Sequence, residues 1–191
     1  VPVWKPDPSE VLVTARPRVM WVWSTAELIA SPTECDRLFT ACHAHDVELL
    51  WIQVPYSLAS QDELLRCHID QPQSLRRFLR QAHTSGIAIH AMDGSPEFSV
   101  RHRHATPLAV IDAVVEFNQA GQSQERFDGV HFDNEPYLLL GWSNHRQRES
   151  ILHDLMTLNV ECQRRCRQAG LQFGVDLPFW WSALDHETGE S

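Results

Sequence analysis

Short apolar runs alternate along this chain with longer stretches in which apolar positions recur every three or four residues, the spacing of one helix face. Residues 18–24 (RVMWVWS), 48–54 (ELLWIQV), 87–92 (IAIHAM), 129–135 (GVHFDNE) and 171–177 (LQFGVDL) read as strands. The stretches between them carry helix punctuation. Ser31-Pro32-Thr33-Glu34 opens a helix running to His45, with Ser as N-cap, Pro in the first turn and Glu three residues after the cap. A polar loop follows the second strand, and a helix over 73–84 stops at Gly86. Asp93-Gly94-Ser95-Pro96 forms a loop, a helix over 106–119 has Pro107 in its first turn, and the longest helix, 146–169, is closed by Gly170.

Strands that alternate with helices imply parallel pairing through right-handed crossovers, so the class is α/β. An open nucleotide-binding sheet would carry a Gly-rich turn after the first strand, and Trp23-Ser24-Thr25-Ala26 has none. Polar and aromatic residues instead gather just past each strand, as at the C-terminal face of a (β/α)8 TIM-type barrel. The expectation is a lead-in segment over 1–17 and a partial barrel over 18–191, with five of the eight βα units present. The missing strands would come from the rest of a parent chain or from another chain. A start at Val1 points to a processed or excised segment, which leaves the compartment open and an extracytoplasmic one possible.

With 43% hydrophobic and 21% charged residues over 191 positions, the composition is that of a folded domain. A net charge of −9 argues against a nucleic-acid surface and supplies no basic patch for anionic membranes. No apolar run approaches the roughly 18 residues of a membrane span. Cys35, Cys42, Cys67, Cys162 and Cys166 form no CxxC pair; Cys162 and Cys166 lie one helical turn apart, and each cysteine reads first as a small buried hydrophobe.

The fourth strand is where chemistry concentrates. At period two, His131, Asp133 and Glu135 share one face, with Asp133 and Glu135 roughly 6.6 Å apart along the backbone. Burying unpaired carboxylates is costly, so a solvated cavity at the strand's end is the economical explanation. Repulsion between the two acids would raise the proton affinity of one. A protonated carboxylic acid beside an ionised partner is what glycosidic cleavage uses, which makes Glu135 the candidate acid and Asp133 its stabilising partner. Around them, Asn134, Tyr137, Trp23, Gln53, Tyr56, His90, Asp93, His131, Asp176, Trp180 and Trp181 fall at or beyond strand ends and are candidate sugar contacts, the aromatics as stacking faces. No cofactor or resident metal is implied, and the expected ligand is a carbohydrate.

The string Asp128-Gly-Val-His-Phe-Asp133-Asn-Glu135 resembles the DGxDxDxE signature on the fourth barrel strand of glycoside hydrolase family 18, with His131 where that family has its middle Asp. The resemblance implies that the final Glu is the acid and that the Asp two before it orients the substrate's N-acetyl group, which acts as nucleophile. Asn134-Glu135-Pro136 is also similar to the strand-four ending of the retaining clan A glycosidases, where the Glu is acid/base and the Asn binds the sugar 2-hydroxyl. Both likenesses nominate Glu135.

Three other readings stand beside this one. Asp133 and Glu135 fit a salt-bridged strand end with Arg partners, and Asp128 fits a turn-forming Asp-Gly. His90, His131, Asp133, Glu135 and Asp176 fit the ligand set of a metal-dependent hydrolase, although no HxH or HExxH string is present. A catalytically incomplete carbohydrate-binding barrel fits the missing strands.

Overall fold

The computed structural model describes residues 17–61 and 64–181. In chain order its elements are β1 (Arg18–Val22), α1 (Thr25–Ala30), α2 (Pro32–Ala44), β2 (Val47–Gln53), β3 (Tyr56–Gln61), β4 (Leu64–Ile69), α3 (Pro72–Thr84), β5 (Ala88–Asp93), α4 (Ala105–Gln119), β6 (Gly129–Phe132), α5 (His145–Gln168) and β7 (Gln172–Val175). Helix starts follow the local chemistry. Ser31 accepts a hydrogen bond from the Glu34 amide ahead of Pro32, and the Asn144 side chain accepts one from the Gln147 amide at the head of α5.

The main sheet has the order β1-β2-β5-β6-β7, every neighbouring pair parallel. Strand order therefore follows chain order, and right-handed crossovers then place all the connecting helices on one side. The core confirms this. Leu50, Ile52, Ile89, Ala91, Val130 and Phe132, alternate residues of the central strands, meet Phe39, Leu75, Phe78, Val114, Phe117, Leu158 and Cys162 from α2, α3, α4 and α5 in one buried cluster. The opposite face carries Trp21, Trp51, Gln53, His90, Met92 and His131, and there Trp21 is 45% exposed.

At the N-terminal end of β6, Asp128 ties the sheet together, accepting from the Ile89 amide at 2.7 Å and bonding His83 Nε2 at 2.9 Å. The Asp-Gly reading as a structural turn matches this placement. Gly129 beside it is required by packing, because a Cβ there would stand 2.7 Å from His90 Nε2.

Three expectations need correction. The polar loop after β2 is an antiparallel hairpin, β3 with β4, seated on α4 through Leu65, Cys67 and Ile69 against Ala109, Val110 and Ala113. Along β3 the residues from Ser57 to Ser60 are exposed, Leu58 at 44%, so Tyr56-Ser-Leu-Ala-Ser carries no inward-facing apolar alternation. A short helix, α1, lies between the first strand and Ser31, in addition to the four helices expected from the sequence. Lastly, the fourth strand stops at Phe132 and does not reach Glu135. Pro136 has no amide to offer the ladder, and Glu135 before it adopts φ 44, ψ 54, the left-handed region that ends an extended run. The described sheet is open, with β1 and β7 at its edges; no closed barrel forms among the described residues.

Candidate functional site at the C-terminal ends of the strands

Parallel hydrogen bonding continues briefly past the strands and sets a row of acids along the rim. The Asp133 amide donates to the Asp93 carbonyl at 3.0 Å and the Asp176 amide to the Phe132 carbonyl at 2.9 Å. Gly94 makes this row close-packed, since a Cβ on it would lie 2.5 Å from the Asp133 carbonyl carbon and nearer still to its oxygen. The left-handed turn at Glu135 then folds the chain into the 3-10 turn Pro136–Leu138, closed by the Leu138 amide on the Glu135 carbonyl at 3.0 Å.

That turn restores by another route the convergence expected from strand alternation. Asp133, Glu135, Tyr137, Asp176, Leu177 and Pro178 line one cavity of about 140 Å³. The Tyr137 hydroxyl donates to Glu135 Oε1, and that bond pushes the phenol up to about 12. Burial, followed by the charges of Asp176 and Glu135, raises the proton affinity of Asp133 above the ordinary carboxylate range. Among the described residues, no Arg or Lys stands at ion-pair distance from Asp133, Glu135 or Asp176. The salt-bridged strand end therefore lacks its Arg partners.

A second concavity, of about 550 Å³, opens at the ends of β1, β2 and β5 and is lined by Trp23, Gln53, Tyr56 and Asp93 together with Ser24 to Glu27. Tyr56 donates to Asp93 Oδ2 at 3.0 Å. Burial raises Asp93, an effect partly offset by the Gly94 amide and the Tyr56 hydroxyl, and the Tyr56 phenol is itself pushed up, first by burial and then by Asp93.

The remaining sequence candidates do not line these two spaces. His90 and His131 are buried at 6% and 4% exposure on the sheet face away from the helices, beneath the rim. Burial and then the nearby His131 lower the proton affinity of His90. Asn134 is buried at 4%, with its Oδ1 unpaired. Trp180 packs edge-on against the Tyr137 ring at 5.4 Å, and Trp181 stacks on Trp142 at 6.1 Å. Sequence reasoning missed Trp51, which lies flat on His131 at 3.6 Å, and Gly174, whose missing side chain makes room for that ring. An isolated glycine inside the apolar run Leu-Gln-Phe-Gly-Val-Asp was the available signal.

The five-residue metal set does not assemble. Among the described residues no group of three or more His, Cys, Asp or Glu side chains is arranged to hold a metal ion. All five cysteines are buried free thiols, and no described helix is long and apolar enough to cross a membrane.

No family profile matches the chain, and no curated protein does. Its fold is shared with a solved structure, the C-terminal domain of a protein from Desulfitobacterium hafniense DCB-2 described as a chitinase, at a TM-score of 0.59 and 12% identity over 83% of this chain. A chitinase from Chromobacterium violaceum ATCC 12472 aligns over 85% of the chain at a TM-score of 0.49 and 14% identity. The chain spans 45% of the first of these chains and 46% of the second, less than half of either.

Proposed function

We propose that this chain forms the catalytic part of a glycoside hydrolase, with Glu135 donating a proton to the leaving oxygen of a glycosidic bond in an oligo- or polysaccharide. One observation carries the reading. Glu135 occupies a left-handed backbone conformation before a proline, φ 44, a state that costs a non-glycine residue on the order of 1–3 kcal/mol. What that conformation achieves is chemical: it turns the carboxyl into the cavity shared with Asp133 and Asp176 and onto the Tyr137 hydroxyl. Strain held at a carboxylate cluster with no Arg or Lys partner among the described residues is a feature of working sites more than of structural ones.

In the proposed reaction Glu135 protonates the departing oxygen while Asp133, two residues back, steadies positive charge developing on the sugar or a neighbouring substrate group. Trp23, Gln53, Tyr56 and Asp93 form a separate concavity along the same rim, where further sugar units of a polymer would lie. The sequential strand order with helices on one face supports a (β/α)8-type barrel of which five units are present, and the fold shared with a chitinase-described domain supports a carbohydrate substrate.

The test is hydrolysis of chromogenic oligosaccharides by the full-length protein and its Glu135→Gln variant. Loss of 10²–10⁴-fold in kcat/KM with an unchanged circular dichroism spectrum is expected. Undiminished turnover by the variant refutes the assignment of Glu135. A second reading, a carbohydrate-binding barrel without turnover, is favoured by the small volume beside Glu135, about 140 Å³. Glycan binding that survives Glu135→Gln, with no hydrolysis by the parent, would select it.

A further inference from the structure

The imidazole of His131 is fixed from three strands. On β7, Gly174 leaves space for it: a Cβ there would stand 2.6 Å from Nδ1 and 3.2 Å from Cε1. On β2, the Trp51 indole stacks against it at 3.6 Å with an interplanar angle of 14°. From its own position on β6, its Nε2 lies 3.1 Å from Asp176 Oδ2, with the His131 side chain 6% and that of Asp176 30% exposed. The contact is at ion-pair distance but lacks the alignment of a hydrogen bond, and neither atom has another partner. A ring so confined has little left to vary except its proton.

Its charged surroundings are few. Asp176 faces it from the residue after β7, and Asp133 follows it on its own chain segment, with Glu135 beyond. His90 approaches from β5, and β2 contributes the uncharged Trp51. Asp133 feels all of the acidic neighbours, being raised by burial and then by Asp176 and Glu135, and lowered by His131.

We propose that His131 and Asp176 form an imidazole–carboxylate couple that compensates the charge beside Asp133, so that His131 acts on the site through its acids and is not a sugar contact. The catalytic consequence rests on the glycosidase reading; the couple itself does not. With a proton on His131, the Asp176 charge is offset and Asp133 ionises readily. Without it, Asp176 bears on Asp133 uncompensated, and Asp133 keeps its proton to higher pH.

The two members of the couple therefore act on Asp133 with opposite sign, which a purely structural role would not do. In the full-length protein, the acidic limb of the kcat/KM profile is expected to move to higher pH in His131→Gln and to lower pH in Asp176→Asn. If both limbs stay in place while Glu135→Gln still abolishes hydrolysis, the couple is overturned and the glycosidase reading stands. If His131→Gln fails to fold, the isosteric Asp176→Asn carries the same test alone. If the parent shows no hydrolysis at all, that reading falls and the couple is tested directly by NMR. The ring resonances of His131, recognised by their absence in His131→Gln or, failing that variant, by their nuclear Overhauser contacts to Trp51, should change in chemical shift in Asp176→Asn at fixed pH. Unchanged ring resonances would overturn it.

Discussion

Gly94→Ala tests whether the acids are held in place by the packing of two backbone strands. Gly94 follows β5 directly, and a Cβ on it would lie 2.5 Å from the carbonyl carbon of Asp133 and 3.0 Å from its nitrogen. Real contacts of this kind start beyond 3 Å, and the obstacle is backbone, so the loop after β6 must retreat by several tenths of an ångström or more. The bond from the Asp133 amide to the Asp93 carbonyl, 3.0 Å long, is the first casualty. Overpacking of this sort costs about 1–3 kcal/mol, and the lost hydrogen bond about 1 more. Reduced freedom of the unfolded chain returns somewhat under 1 kcal/mol, which leaves a net loss of about 2 kcal/mol. For a domain of this size that is a fall in Tm of roughly 4–8 °C. Because the retreating segment carries Asp133, hydrolysis should drop about 10–100-fold at temperatures where the variant is still folded. Gly170→Ala is the control: its φ is +72 with nothing within 4 Å of the added Cβ, so it should lose about 1 kcal/mol and no activity. Calorimetry and a hydrolysis assay on both variants decide the matter. A Gly94→Ala protein that melts within 1 °C of the parent and turns over at the same rate would refute the claim that backbone packing positions Asp133.

Two stability predictions follow from the opposite end of the sheet and from the core. His83 is raised above its ordinary 6.5, chiefly by its hydrogen bond to Asp128, so its contribution is complete below 6.5 and fades as pH climbs through the higher folded value. Burial alone would raise Asp128, but the His83 bond and the Ile89 amide bring it net below 3.8; its contribution is complete above 3.8 and fades as pH falls through the lower folded value. Asp128→Asn should therefore destabilise most between about pH 4 and 6.5, by on the order of 1 kcal/mol because the Asp128 side chain is 39% exposed, and urea unfolding across pH that shows a flat difference would contradict the pair. Phe78, 1% exposed and 5.2 Å from the Phe39 ring, sits where α2 and α3 meet the sheet; Phe78→Ala should cost about 3–5 kcal/mol in urea unfolding, and a loss under 1 kcal/mol would place the core elsewhere.

The sheet was legible because its code is local and redundant. Each parallel strand is a nearly continuous apolar run, and Ser31 and the closing glycines Gly86 and Gly170 punctuate the helices through their own backbone needs. The hairpin was illegible because Leu65, Cys67 and Ile69 of β4 bury against α4, some forty residues away in sequence, and only that contact makes a strand of them. At the site, residue identities were readable and geometry was not. Period-two alternation put Asp133 and Glu135 on one strand face, whereas the structure brings them to one cavity through a left-handed turn that Asn-Glu-Pro does not announce. Trp51 went unmarked because nothing in Leu-Leu-Trp-Ile-Gln distinguishes an indole packed on hydrocarbon from one packed on an imidazole.

The two ends of the same sheet treat negative charge in opposite ways, and the contrast separates scaffold from chemistry. At the N-terminal ends, Asp128 meets His83 and Glu125 meets Arg80, while Arg76 also reaches the Phe117 and Glu125 carbonyls. Each acid there has a cation or an amide to answer it, and its ionisation favours the fold. At the C-terminal ends, Asp133, Glu135 and Asp176 share a cavity with no Arg or Lys at ion-pair distance among the described residues, and Asp133 is raised first by burial and then by the charges of Asp176 and Glu135. Repulsion of this kind works against folding, so it persists only where the surrounding core is rigid enough to impose it. The imposing elements are identifiable: the buried strand interior from Leu50 to Phe132, the Gly94 contact that fixes Asp133, and the proline that follows the strained Glu135. Apart from the His131 imidazole beside Asp176, a bound cationic transition state is the partner that would stabilise this cluster, which is why acids without Arg or Lys at the rim, beside acids answered at the base, point to catalysis at the rim.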